Sequence, residues 1–425
     1  MNQMIRTIEV RVDPAYGTTT LLPGLPAAAT WDCNVDLTLL LIGNLTTPPR
    51  FKGLSLSNYW AWIRYGIAMN PVGDLRLRRI WRDIDSHQKT ILSDDFGVGF
   101  PCHYLVENHG FEAFADTKYL VENLLKGFVS LLGSDSRGPL KSPDFIAVDN
   151  LGRLHILECK GTQSSREALK KAIGRGVAQK NNLSNPWLFA SCMVGGIFVP
   201  QHQSKEAAEI VFADPPADEI LRALAELGRP ALRKGVRRIS FAKTLSMAGL
   251  WTAASAITDE RVNPDNVSFV RNLAKGELAF AGYSKDGVTG NWKRKIEFRS
   301  LDEDVEETGR KTPIITTLTV VLPSTIEELF ADAINDDGVV SRTKVDKWIA
   351  ARRRETRVRR TAEEVEVVAQ NEERRPARGN VRRSFNTSWS KVGLDGPNAE
   401  NSSARGWQTE SSVQFMFERA EIVSG

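Results

Sequence analysis

Cysteine is scarce: the 425 residues hold four, Cys33, Cys102, Cys159 and Cys192, widely spaced and with no CxxC pair. That excludes a disulfide framework and a zinc-ribbon-like site, and it points to a reducing cytoplasm. Long apolar runs are also missing. LTLLLIG near Leu39 and MAGLWTAASAI from Met247 fall short of the roughly 20 residues that span a bilayer, so no membrane partner is expected. The opening MNQMIRTIEV alternates polar and apolar residues where a secretory leader would be continuously apolar. Neither sign of charge dominates. With 56 Lys and Arg against 52 Asp and Glu, a net charge of +4 creates no global field, and any case for a polyanionic partner must rest on local charge. No GxxxxGK[ST] phosphate loop and no GxSxG elbow occurs. DDFG at Asp94 to Gly97 lacks both a preceding Gly-rich loop and an HRD-like catalytic loop, which excludes a kinase. No internal repeat is present.

What remains is an ordinary globular composition, 41% apolar and 25% charged, in a chain long enough for two or three domains. RTIEVRV has period two, with Ile8, Val10 and Val12 on one face, and predicts a strand. DLTLLLI is a second strand candidate, and NYWAWIRYGIAM and LRRIWRDIDSHQK have helical spacing. Residues 1–105 carry no catalytic motif, so they are expected to be either a recognition or docking domain or a structural cap. Cys102-His103 with His109 downstream offers metal-ligand types, but a packed cysteine with two ordinary histidines explains them better.

FEAFADTKYLVENLLKGFVSLLG predicts one helix from Phe111 to Gly133. A basic helix is expected from Ser165 to Lys180, then strands at SCMVGGIFVP and EIVFADP, and a helix at PADEILRALAELG. The alternation argues for an α/β layer domain. A long amphipathic helix is predicted from Val236. ELAFAGYS, WKRKIEF and TLTVVL make residues 259–340 β-rich. Residues 341–425 read as a charged helix, a linker and a tail, with a folded end at SSVQFMFERAEIV. Arg352 to Arg360 have the charge to touch a phosphate backbone, but a solvated charged helix accounts for them better.

The stretch SPDFIAVDNLGRLHILECKG, Ser142 to Gly161, carries the chemistry. Read as a hairpin with DNLGR as the turn, it sets Ile146 opposite Ile156, Val148 opposite Leu154 and Asp144 opposite Glu158. Alternation then places Asp144, Glu158 and Lys160 at one end of one face. Facing carboxylates repel, and burial raises the pKa of at least one of them. A divalent cation reverses that, because Mg²⁺ takes one or two carboxylates plus water and substrate phosphate. A salt bridge in which Lys160 neutralises both acids explains the pattern equally well. Ser164 as N-cap with Glu167 three residues on fits a capping box for the next helix. That helix brings Arg166, Lys170, Lys171, Arg175 and Lys180, cations suited to phosphate contacts.

Pro143-Asp144, Glu158-Cys159-Lys160 and Gln179-Lys180 on the following helix resemble the PD-(D/E)xK nuclease superfamily, the restriction-endonuclease-like fold. The similarity covers about residues 111 to 200. It implies an α/β (α+β) αβββαβ core with a central mixed sheet flanked by helices, and an active site at the splayed end of the hairpin. It further implies phosphodiester hydrolysis dependent on Mg²⁺ (or Mn²⁺). Asp144 and Glu158 would hold the metal, Lys160 would position the water, and Gln179 would fix the lysine or phosphate. Glu122 is expected to add a metal ligand from the preceding helix, with Glu112 or Asp116 in its place as alternatives. Arg166, Lys170, Arg175 and Lys180 would contact nucleic acid.

The expected layout is therefore a docking domain at 1–105, a nuclease-like domain at 106–258, a β-rich accessory region at 259–340 and a charged tail at 341–425. The expected activity is a cytoplasmic, metal-dependent endonuclease acting on DNA, most similar in its unfamiliar flanks to effectors of bacterial anti-phage defence. A free intracellular nuclease would injure its host, so a regulatory protein partner, a homo-oligomer or a flanking domain is expected to restrain it. The competing reading is a catalytically inactive nuclease-like subunit that binds nucleic acid or protein.

Overall fold

A computed structural model describes residues 5–13, 15, 25, 27–49, 56–70, 73–123, 142–180, 189–213, 229–303, 311–373 and 405–421. The chain divides into two compact units, 3–254 and 255–425, residues 1–2 counting with the second.

In the first unit, β1 (Ile5–Val12) buries Ile8, Val10 and Val12 as its alternation predicts. β2 (Ala28–Asn34) pairs with it antiparallel. The apolar run that reads as a strand is instead helix α1 (Val35–Thr46). The Asn34 side chain accepts from the Leu37 amide, and the helix is buried on nearly all sides, so no amphipathic period marks it. Only Trp60–Tyr65 of the next aromatic segment is α-helical (α2). Residues Arg79–Asp83 form a 3-10 turn. α3 (Ser86–His109) starts at Asp85, whose carboxylate accepts from the His87 amide, and ends at Gly110 with φ +67°.

The helix predicted from Phe111 begins as a strand, β3 (Phe111–Asp116), and only Thr117–Asn123 is helical (α4). Pairing with the next strand, Asp116 opposite Phe145, overrides the local helical spacing. The rest of that segment lies outside the described residues, as do the helix predicted at PADEILRALAELG and the linker at 374–404. β4 (Phe145–Asp149) and β5 (Leu154–Thr162) form the expected hairpin, with Ile146 opposite Ile156 and Val148 opposite Leu154. The buried Asp149 ties its turn, accepting from the Leu151 and Arg153 amides at 3.0 and 2.7 Å.

α5 (Arg166–Lys180) leads to β6 (Ser191–Phe198), β7 (Glu209–Ala213) and α6 (Arg229–Met247). The single helix expected from Val236 is broken at Gly249, φ +84°, before α7 (Trp251–Asp259) spans the division between the units. The seven strands form one mixed sheet in the order β2-β1-β7-β6-β5-β4-β3. β1 runs parallel to β7, with Glu9 opposite Glu209. Residues 1–105 are therefore not a separate domain: their strands complete the sheet and α3 covers its centre.

The helices cover both faces. α5 buries Leu169 and Ile173 against Val194, Phe198 and Val211, while α6 adds Val236 and Ile239 to the core over β3, β4 and β5. α3 lies on the opposite face and approaches β5 so closely that a Cβ at Gly97 would fall 2.6 Å from the Lys160 carbonyl carbon. Only glycine permits that contact.

The second unit contains α8 (Val267–Arg271), α9 (Glu277–Phe280), β8 (Ser284–Lys285), β9 (Trp292–Glu303), β10 (Lys311–Leu322), α10 (Ile326–Ala333), α11 (Arg342–Glu373), β11 (Arg405–Gln408) and β12 (Gln414–Glu421). Its sheet, β11-β12-β10-β9-β8, is antiparallel throughout. Residues 259–340 and 341–425 therefore share one sheet and are not separate regions, because β12 pairs with β10 along its length. ELAFAGYS, expected as a strand, yields α9 and the two-residue β8. No helix among the described residues is long and apolar enough to cross a membrane.

Candidate active site

The β4 ladder ends at Phe145, and one residue earlier the chain leaves the sheet. There the Asp144 side chain replaces the missing main-chain partner: its Oδ2 accepts from the Cys159 amide at 2.7 Å. The Asp144 carbonyl accepts from Thr117 N at 3.1 Å, where β3 passes into α4. Asp144 is thus fixed from both neighbouring strands, opposite Glu158, at the splayed end of the hairpin.

Glu158 is 1% exposed. Its Oε1 pairs with Lys160 Nζ, and its buried Oε2 has no hydrogen-bond partner among the described residues. Burial raises the Glu158 carboxyl to about 7, and the Asp144 charge pushes the same way against Lys160. Burial also raises Asp144. The Cys159 amide and Lys160 oppose that shift, while the charges of Asp94 and Asp116 reinforce it. The α5 side of this pair is sealed: a Cβ at Gly176 would lie 2.7 Å from Val194 Cγ1, 3.3 Å from Glu158 Cγ and 3.4 Å from Lys160 Cε. A larger residue at position 176 would press directly on the acid and the lysine.

Two further carboxylates reach Asp144, one from each flank. Asp94, exposed at the rim, sits on the α3 turn packed against the Lys160–Gly161 backbone; burial raises its carboxyl and Lys160 lowers it. Asp116 closes β3 and pairs with Lys243 Nζ at 2.6 Å. Lys243 is 2% exposed, donates to the Leu45 carbonyl at 2.7 Å and lies 5.9 Å from the Phe145 ring centre. Glu122, the expected helix acid, lies on the exposed side of α4. Glu112, the other alternative, lies 3.8 Å from Arg237.

The basic helix is only partly as expected. Its N-cap is Ser165, whose Oγ accepts from Ala168 N at 3.1 Å, so Glu167 is one position early for a capping box. Arg166 turns to the paired strands β1 and β7, 2.7 Å from Glu9 and 3.6 Å from Glu209, and is engaged structurally. Lys170, Lys171 and Arg175 are exposed. The side chains of Gln179 and Lys180 lie outside the described ones. A different glutamine meets the site: Gln163, three residues after Lys160, donates to the Lys89 carbonyl at 2.8 Å and Ser93 Oγ at 3.1 Å, which ties the end of β5 to α3. Asp94 and Gln163 left no local signal, because their approach to the site depends on α3 crossing β5.

No group of three or more His, Cys, Asp or Glu is placed to hold a metal among the described residues, and Cys102, His103 and His109 form no such site. An Mg²⁺ ion needs only one or two carboxylates, the remainder coming from water and phosphate. Asp144 and Glu158 fit that demand. They are hard oxygen donors, held by adjacent strands, with one buried oxygen unsatisfied among the described residues and each carboxyl displaced upward chiefly by burial. No protein-family model, curated protein or solved structure matched the chain.

Proposed function

We propose that residues 3–254 form a metal-dependent nuclease that hydrolyses phosphodiester bonds, with DNA as substrate, and that its place is among the effectors of bacterial anti-phage defence. The order α3-β3-α4-β4-β5-α5-β6 supports a restriction-endonuclease-like core, since it has the αβββαβ sequence of that fold with the short α4 added between β3 and β4. One observation carries the functional reading. A half-buried Asp144 and a buried Glu158 face each other at the splayed end of a hairpin, with an amine beside them and one carboxylate oxygen left without a partner among the described residues. For stability alone this is a poor arrangement, since an apolar pair there would cost nothing in desolvation.

Asp144 and Glu158 would hold the ion, with Asp94 at the rim as a further oxygen donor. When bound, Mg²⁺ or Mn²⁺ stabilises charge on the phosphate oxygens and acidifies a coordinated water. Lys160 supplies a positive charge at the same point, oriented by Glu158, and steadies the attacking water and the developing phosphorane charge. The closed α5 and α3 faces hold these groups rigidly and keep bulk water to the open end. Lys170, Lys171 and Arg175 offer phosphate contacts that position a strand without reading its sequence.

The test is incubation of the chain with plasmid, linear duplex, single-stranded DNA and RNA, each with Mg²⁺, Mn²⁺ or EDTA, beside Lys160→Ala. Cleavage that needs the metal and disappears in the variant, with its melting temperature kept, supports the reading. Metal-independent cleavage, or equal cleavage by Lys160→Ala, refutes it.

A further inference from the structure

Among the described residues of the first unit, five large apolar side chains are exposed, and four fall in one short segment: Leu56, Ile63 at 48%, Ile67 at 61% and Ile80 at 73%. Such a concentration marks a contact surface, whereas isolated exposed apolar residues do not. The same segment is basic. Between positions 76 and 89 stand five Lys and Arg against two Asp. Three of these cations are spent internally, Arg76 on Asp74, Arg78 on the Met69 carbonyl and Lys89 on the Arg82 carbonyl, and Arg82 lies 3.4 Å from Gln203 Oε1. Arg79 and Arg82 remain exposed, and they flank Ile80 and the partly exposed Trp81.

A chain of internal contacts links this segment to the acid site. Trp81 packs edge-on against Tyr65, ring centres 5.9 Å apart, and Tyr65 donates to Asp95 Oδ2 at 2.6 Å, beside Asp94. At the far end of the same segment, the Lys89 side chain donates to the Arg82 carbonyl and the Lys89 carbonyl accepts from Gln163, just past the end of β5. The Trp81 ring and the Arg82 backbone are thus tied to α3, the helix that carries Asp94.

We infer that the segment from Leu56 to Lys89 is a platform for an unpaired nucleic-acid strand, whose bases rest on Trp81 and Ile80 while Arg79 and Arg82 take its phosphates. The inference rests on the nuclease reading and adds a strand preference to it. Its logic is chemical: stacking on aromatic and apolar faces needs bases that are not already stacked in a duplex, and arginines track the backbone beside them.

The test uses the full chain carrying Asp144→Asn, which keeps the probe uncut, and fluorescence anisotropy of a labelled oligodeoxythymidine and a duplex over a range of salt. The single strand should bind more tightly than the duplex. Trp81→Leu, which retains apolar bulk against Tyr65, should weaken single-strand binding at least about fivefold, the lower end of what one stacked base contributes. The pair Arg79→Ala with Arg82→Ala should flatten the plot of log affinity against log salt by about 1.4, or about 0.7 per lost phosphate contact. Ile80→Ser, at a position exposed enough to leave folding untouched, should weaken single-strand binding as well. Unaltered single-strand binding in these variants, or stronger binding of the duplex, overturns the platform. So does a change of Ile80→Ser in self-association without a change in strand binding. The two readings fail separately. Full-rate cleavage of single strands by the Arg79 and Arg82 variants in an otherwise wild-type chain removes the platform and keeps the nuclease. Platform-sensitive binding in a wild-type chain that cuts nothing with Mn²⁺ removes the nuclease and keeps the platform.

Discussion

Glu158→Gln should stabilise the protein at neutral pH while abolishing its activity. The Glu158 carboxyl is displaced from 4.5 to about 7, burial being the larger cause and the Asp144 charge the second. At about 1.4 kcal/mol per tenfold change in proton affinity, that displacement represents about 3 kcal/mol of strain in the ionised folded state. The folded chain binds the proton more tightly than the unfolded chain. Stability is therefore greatest with respect to this group below about pH 4.5 and falls as pH rises through 7. Glutamine mimics the protonated acid in shape and charge. The variant should gain up to about 3 kcal/mol over wild type at pH 8, and the gain should vanish towards pH 4.5. Mg²⁺ should restore part of the difference by stabilising the ionised wild type alone. Urea melts of both proteins from pH 5 to 8, with and without Mg²⁺, measure all of this. A variant less stable than wild type at pH 8, with neither protein responding to the metal, would refute the claim that the acid is held against its own electrostatics for an ion.

Three other outcomes are expected. Gly176→Ala places a methyl 2.7 Å from Val194 and against Glu158 and Lys160, so overpacking should cost about 1–3 kcal/mol and reduce cleavage; a melt and an activity assay read both. Lys243→Met removes a buried cation from a half-exposed Asp116 and should destabilise by about 1–3 kcal/mol, part of it recovered when Asp116→Asn is added; a double-mutant cycle measures the coupling. Asp94→Asn should lower activity and weaken metal binding, because the Asp94 charge acts on Asp144, whereas Glu122→Gln, on the exposed side of α4, should change neither.

The hairpin was the most legible part of the molecule. Alternating apolar residues on both sides of DNLGR fix its register, and a slip of one residue would have turned Ile146, Val148, Leu154 and Ile156 out of the core. Asp144, Glu158 and Lys160 follow from that register alone. The run at Leu37–Leu45 was illegible as a helix, because a helix buried all round carries no amphipathic period. FEAFAD carries helical and strand patterns together, and its pairing with β4 decides between them. The joining of β1 to β7 links Glu9 to Glu209 across about half of the chain, a contact that no local pattern encodes. The role of Asp94 was hidden for the same reason. Only the close approach of Gly97 to Lys160 brings it to the acids.

Calorimetric titration of Mn²⁺ into the metal-free chain is the most direct examination of whether Asp144 and Glu158 are built around a cation. Binding of an ion by wild type that is lost in both Asp144→Asn and Glu158→Gln, each folded by its melting curve, is the predicted result. No binding by wild type, or binding that survives both substitutions, would contradict it and leave the buried pair as architecture alone.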